Sequence, residues 1–166
     1  MSGGMNPRPR TLSRVAAVQA LYQAEQAEIA AETVIDQFVR HRIGELPGRG
    51  GLDEGHLREA DVPLFSRIVR SATLQQDTID TMIVQALPES WPMARLDPVL
   101  RAIFRAGGAE LWLVDGAPAK VIINEYLNVA HGFFSGDEPR MVNGVLDRLA
   151  HLLRGAEFSA AGSAGQ

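Results

Sequence analysis

The stretch PRMVNGVLDRL, residues 139–149, carries two signals that disagree. Asn143-Gly144 is a strong turn dipeptide, the usual link between two β-strands. The apolar residues around it do not alternate as strand residues would. Val142, Val145, Leu146, Leu149, Leu152 and Leu153 recur at spacings of three, one, three, three and one, which is helical periodicity. A glycine inside a helix costs roughly 1 kcal/mol relative to alanine. Burial of the apolar stripe in a bundle outweighs that cost. The segment is therefore predicted as a helix, with Gly144 lying off the stripe where a small residue permits close backbone approach.

Working outward, the same periodicity recurs along the chain. Asp137 is a predicted N-cap, with Pro139 in the first turn. Before the turn SGDEP, a helix covers Lys120 to Phe134, with Ile122, Tyr126, Val129, Ala130 and Phe133 inward. Before VDGAP, Asp97-Pro98 starts a helix carrying Val99, Ile103, Phe104, Leu111 and Leu113. Gly107-Gly108 in that helix predicts either a kink or a close neighbour. The two prolines of LPESWP mark a boundary between two halves. One long helix is predicted over Val62 to Leu87, and two more over about residues 11–28 and 31–43. The stretch GELPGRGGLDEGHLREAD has no periodicity and reads as a loop of the disordered kind.

No strand signal is convincing. The expected fold is all-α, about seven helices in two tightly packed helical subdomains spanning about residues 11–88 and 95–154. A flexible basic arm at 1–10 and a disordered small-residue tail at 155–166 flank them.

The 166 residues suffice to bury roughly 70% of the unfolded surface without staples. There is no cysteine, which removes disulfides, thiolate metal sites and cysteine nucleophiles together. No apolar run approaches the ~20 residues that span a bilayer, and the opening MSGGMNPRPRTLSR lacks a signal-peptide core. A cytoplasmic protein is expected. The net charge of −4 argues against a general nucleic-acid binder, but its distribution is uneven. Residues 1–22 hold Arg8, Arg10 and Arg14 and no acid, whereas residues 23–61 hold nine acids and four arginines. A basic arm on an acidic body suggests an anionic partner, or merely a polar terminus. Arg10 and Arg14 lie i, i+4, so their guanidinium groups can act together.

Catalytic and cofactor patterns are missing. No P-loop occurs, and GRGGLDEG has Asp53 where a dinucleotide loop needs its third glycine. His41, His56, His131 and His151 are scattered, and nothing assembles a nucleophile, a base and an oxyanion donor. No enzyme activity and no cofactor are expected. Single-stranded RNA needs cations for phosphates and flat groups for stacking. Tyr22 supplies a stacking face or packs in the core, and Gln19 meets a base edge or only solvent.

Two stretches sharpen the picture. RVAAVQALYQ, residues 14–23, and APAKVIINEYLNVAHGFFSGDEPRMVNGVLDRLA, residues 117–150, flank LDPVLRAIFRAGGAEL. In this order and spacing they resemble the NusB family of bacterial transcription antitermination factors, over about residues 10–154. The resemblance implies an all-α fold, binding of the boxA element of ribosomal RNA transcripts, and a heterodimer with NusE, a small-subunit ribosomal protein. It implies assembly with other Nus factors and RNA polymerase to suppress premature termination. It carries over Asp137 and Arg140 as RNA contacts, with Asp137 serving otherwise as an N-cap, and Lys120 as a further cation. It places Leu100 and Arg101 toward NusE, Leu100 standing where the family often has an acid. Met141 stands where many members have an aromatic residue, so a stacking surface is lost there. Asn143 packs between helices or meets the ligand. Two other readings share these features. One is a protein-interaction module or homodimer without specific RNA binding. The other is a stand-alone relative of the N-terminal domain of ribosomal RNA cytosine methyltransferases.

Overall fold

The computed structural model describes residues 9–43, 59–114 and 116–164. Arg8 and most of the glycine-rich 44–61 segment lie outside the described residues. Among those described, eight α-helices follow one another: α1 Pro9–Ala27, α2 Ala31–His41, α3 Val62–Leu74, α4 Gln76–Ala86, α5 Pro98–Trp112, α6 Ala119–Phe133, α7 Glu138–Leu153 and α8 Gly155–Ala164. A 3₁₀ turn, Met93–Arg95, precedes α5. The described residues contain no strand.

Most of the periodic stripes bury as predicted, but Phe133, expected inward, and Leu152, on the α7 stripe, lie exposed near the ends of their helices. Val142, Val145, Leu146 and Leu149 of α7 are buried, as are Ile122, Tyr126, Val129 and Ala130 of α6. The core is one continuous cluster, with α5 in its middle, touching α1, α3, α4, α6 and α7. Asp97 caps α5, its Oδ1 accepting from Val99 N at 2.8 Å. Asp61 caps α3 through Leu64 N at 3.0 Å. Gly107 and Gly108 serve close approach. A Cβ on Gly107 would meet Leu146 at 2.9 Å, and one on Gly108 would meet Ile79 at 2.9 Å and Leu149 at 3.2 Å.

Four expectations need correction. First, α1, whose spacing reads as a single apolar stripe of Leu12, Val15, Val18 and Tyr22, is not a simple amphipathic helix. Leu12, Ser13, Arg14, Ala16, Ala17, Val18, Ala20 and Leu21 are all buried, because its alanines let α2, α3, α5 and α6 pack around it. Second, the long helix over Val62–Leu87 is two helices broken at Gln75, which has φ −105 and ψ 18. Thr73 Oγ1 donates back to Val69 O at 2.9 Å, a bond that bends helices, and Leu74 is exposed there.

Third, the tail expected to be disordered contains α8. Arg154, at the joint between α7 and α8, is buried and donates to the carbonyls of Glu110 (3.0 Å), Leu111 (2.9 Å), Leu113 (2.7 Å) and Ala117 (2.6 Å). Glu157 accepts from the Ala119 N–H at the start of α6 at 3.0 Å and from Arg154 at 3.2 Å. Phe158 stacks on His151 with ring centroids 3.9 Å apart. Fourth, Gly144 does not permit close packing: a Cβ there would meet nothing within 4 Å.

Candidate nucleic-acid interface

The first helix was expected to present Arg10 and Arg14 together. Arg10 is exposed, on the first turn of α1. Arg14 points the other way and is only 2% exposed. Its Nε and Nη2 donate to the two carboxylate oxygens of Glu110 at 2.7 and 2.6 Å, and its Nη1 donates to Glu125 at 2.7 Å. The Tyr126 hydroxyl donates to Glu110 at 2.9 Å, and Thr11 Oγ1 donates to Glu125 at 2.8 Å. Burial alone would favour the neutral guanidine, but the hydrogen bonds and charge of Glu110 hold Arg14 above its usual range. Burial, reinforced by the charge of Glu110, pushes the Tyr126 phenol well above its ordinary value of 10.0. Arg14 is therefore a buried, neutralised ion pair and not part of the basic arm. Its charge is consumed by acids that lie 96 and 111 residues away in sequence.

The expected partner residues are also drawn inward. Leu100 is 2% exposed, part of the core under α5, and offers no surface to another chain. Arg101 turns inward. It donates to Glu25 of α1 and to the carbonyls of Met93 at 3.2 Å and Leu96 at 2.7 Å. Hydrogen bonding from Arg101 holds the Glu25 carboxyl below its usual range. The neighbouring Val99 lines an open groove of about 550 Å³ with Val18, Gln19, Tyr22, Arg42 and Phe133. Tyr22 is 39% exposed there, so its ring lies at the surface and is not a core side chain. The buried Gln19 Oε1 has no hydrogen-bond partner among the described residues.

The start of α7 gathers a second set. Asp137 stands at the N-cap position with an αR backbone, and its side chain makes no capping bond. Its carboxylate is exposed and open to a partner. Arg140, also exposed, follows one turn later. Both line a groove of about 380 Å³ against the end of α4, with Pro88, Met141, Gly144 and Arg148. Arg148 is exposed and was not among the residues expected from sequence. The signal for it is simple spacing: 140, 144 and 148 fall on one helix face. Asn143 is exposed beside them and does not pack between helices.

The structure thus places Asp137 and Arg140 at one groove and Gln19 and Tyr22 at another. Lys120 is exposed on the first turn of α6 and lines neither groove. Arg10 sits beside Thr11, whose bond to Glu125 fixes the start of α1 against α6. Among the described residues no group of three or more His, Asp or Glu side chains could hold a metal ion, and no helix is long and apolar enough to cross a membrane.

Comparison with known proteins accords with this architecture. The family model for the NusB family matches residues 11–151. The transcription antitermination protein NusB of Granulibacter bethesdensis is 62% identical over 152 residues, covering 92% of this chain and 93% of the relative. That of Gluconobacter oxydans is 55% identical, with 86% and 87% covered. A crystal form of T. maritima NusB superposes with a TM-score of 0.67 at 26% identity, covering 86% of this chain and 90% of that one.

Proposed function

The chain belongs to the NusB family, whose relatives are transcription antitermination proteins, and from that premise we propose that it binds boxA RNA of ribosomal RNA transcripts in a heterodimer with NusE. In this reading the pair joins other Nus factors and RNA polymerase in the cytoplasm and suppresses premature termination.

The observation that carries the RNA reading is the groove at the start of α7. It sets Asp137, Arg140 and Arg148 around an apolar floor that includes Met141 and Pro88. Arginines neutralise phosphates, a carboxylate accepts from a base amino group, and an apolar floor supports a base face. Met141 takes the place of an aromatic platform through its soft thioether chain. Arg10 and Lys120, both exposed, are proposed as further cations for the RNA, with Arg8 a candidate from the sequence, while Arg14 holds α1 in place from inside.

For the partner, Leu100 and Arg101 give way to their exposed neighbourhood. The groove of Val18, Gln19, Tyr22, Val99 and Phe133 combines apolar walls, a tyrosine and an amide oxygen lacking a donor. That composition suits a protein surface better than a phosphate chain, so Gln19 and Tyr22 are proposed to serve NusE first and RNA second.

Fluorescence anisotropy of a labelled boxA RNA, titrated with the chain alone and with NusE, tests the reading against a scrambled RNA of equal length. Selective binding that tightens with NusE is expected. Equal weak binding to both RNAs, indifferent to NusE, would overturn it and leave the fold with a different partner.

A further inference from the structure

Gly144 has no internal reason to be glycine. Its backbone is helical, not left-handed, and a Cβ there would meet nothing within 4 Å. It lies in the second turn of a 16-residue helix, where glycine is a standing cost relative to alanine. Gly107 and Gly108, by contrast, are accounted for by Leu146 and Ile79 at 2.9 Å. Gly132 also has open space, but it is the penultimate residue of α6, where a helix ends and the cost fades. What Gly144 has instead is its position. It lines the α7 groove one turn after Arg140 and one turn before Arg148. Both arginines are exposed, and neither is held by a carboxylate among the described residues, unlike Arg14, Arg105 and Arg154.

We propose that Gly144 is a clearance position, over whose bare backbone a single-stranded RNA passes between Arg140 and Arg148. This rests on the RNA reading above and specifies how the chain lies. Eight residues of helix rise about 12 Å, about the span of two nucleotide units, so the two guanidinium groups can hold the phosphates that flank a dinucleotide, one nucleotide of which is seated over Gly144. A Cβ would stand between that nucleotide and the helix and lift it off Met141 and Val145. Asp137, at the open end of the same groove, is then placed to accept from the amino group of a neighbouring base.

Gly144→Ala separates this role from a structural one because the two predict opposite signs. The variant is expected to melt about 2–4 °C higher, as alanine favours the helix. Its boxA affinity is expected to fall by about fivefold to tenfold, a loss of about 1–1.4 kcal/mol. Gly144→Leu is expected to lose more, with NusE binding unchanged for both. Arg140→Ala is the reference that tests the RNA reading itself. If Arg140→Ala weakens boxA binding while both Gly144 variants bind like the parent, the clearance role is wrong and the RNA reading stands. If Arg140→Ala and the parent bind boxA no better than a scrambled RNA, the RNA reading has failed first. If the Gly144 variants lose RNA binding together with thermal stability, the glycine is structural and the inference is overturned.

Discussion

Arg14 shows what separates a residue's spacing from its surroundings. The i, i+4 relation to Arg10 was legible in the sequence, and it correctly says that two such residues can share a helix face. It cannot say which face meets solvent, because Glu110 and Glu125 arrive from α5 and α6. The result is a buried arginine whose partners matter more to folding than to RNA. Arg14→Ala leaves Glu110 buried without its counter-charge and is expected to cost about 3–5 kcal/mol, read as a lower urea midpoint. Arg10→Ala, at an exposed position, is expected to change stability by less than about 0.5 kcal/mol and to weaken RNA binding instead. Tyr126 gives a pH signature for the same cluster. Its phenol stays protonated in the folded chain at pH values where the unfolded chain has begun to ionise. Below pH 10 both states hold the proton, so the group's stabilising contribution is fully present and adds no pH dependence. Above it the folded state binds more protons, so stability falls as pH rises. Tyr126→Phe is expected to be less stable near neutrality, having lost its bond to Glu110, but to show a shallower alkaline decline in denaturant midpoint.

Among the elements, the apolar stripes and the Asp97-Pro98 start of α5 were legible because they are local: periodicity and capping need only near neighbours. Gln75 was not, since the break between α3 and α4 turns on a threonine back-bond inside an otherwise unbroken pattern. The tail was not legible for the opposite reason. Its composition is that of a disordered segment, and α8 forms because Arg154 and Glu157 dock onto the ends of α5 and α6. Arg154→Ala strips four carbonyls of a charged donor and is expected to cost about 2–3 kcal/mol in thermal or denaturant unfolding. Helix α7 has the clearest sequence signature in its apolar stripe and the Asn143-Gly144 dipeptide. The 140, 144, 148 spacing on its exposed face carries no turn, capping or apolar-periodicity signal, so only the packed helix shows which face the two arginines share. If Arg140 and Arg148 each meet a phosphate, removing one is expected to reduce the log–log salt slope of RNA binding by about 0.7. An unchanged slope for both single variants would place the phosphates elsewhere.

At the scale of the whole molecule, an acidic chain with a net charge of −4 binds RNA only if its cations are gathered and its acids are kept aside. The fold does much of that sorting. Glu110, Glu25 and Asp80 are paired with Arg14, Arg101 and Arg105 inside or between helices, while Arg10, Lys120, Arg140 and Arg148 stay exposed. The family was legible in the order of three sequence stretches, because those stretches form the α1, α5, α6 and α7 interfaces that define the bundle. The surroundings of Leu100 and Arg101 were less legible, since the burial of one and the inward bonds of the other depend on α1 and the 3₁₀ turn. We propose that the single-stranded RNA lies along the exposed face of α7. Photo-crosslinking of a 4-thiouridine-substituted boxA RNA to the chain bound to NusE, followed by peptide mapping, tests it directly. Crosslinks concentrated between residues 137 and 148, absent with a scrambled RNA, are the predicted result. Crosslinks confined to α2, α3 or α8, with none on α7, would contradict it.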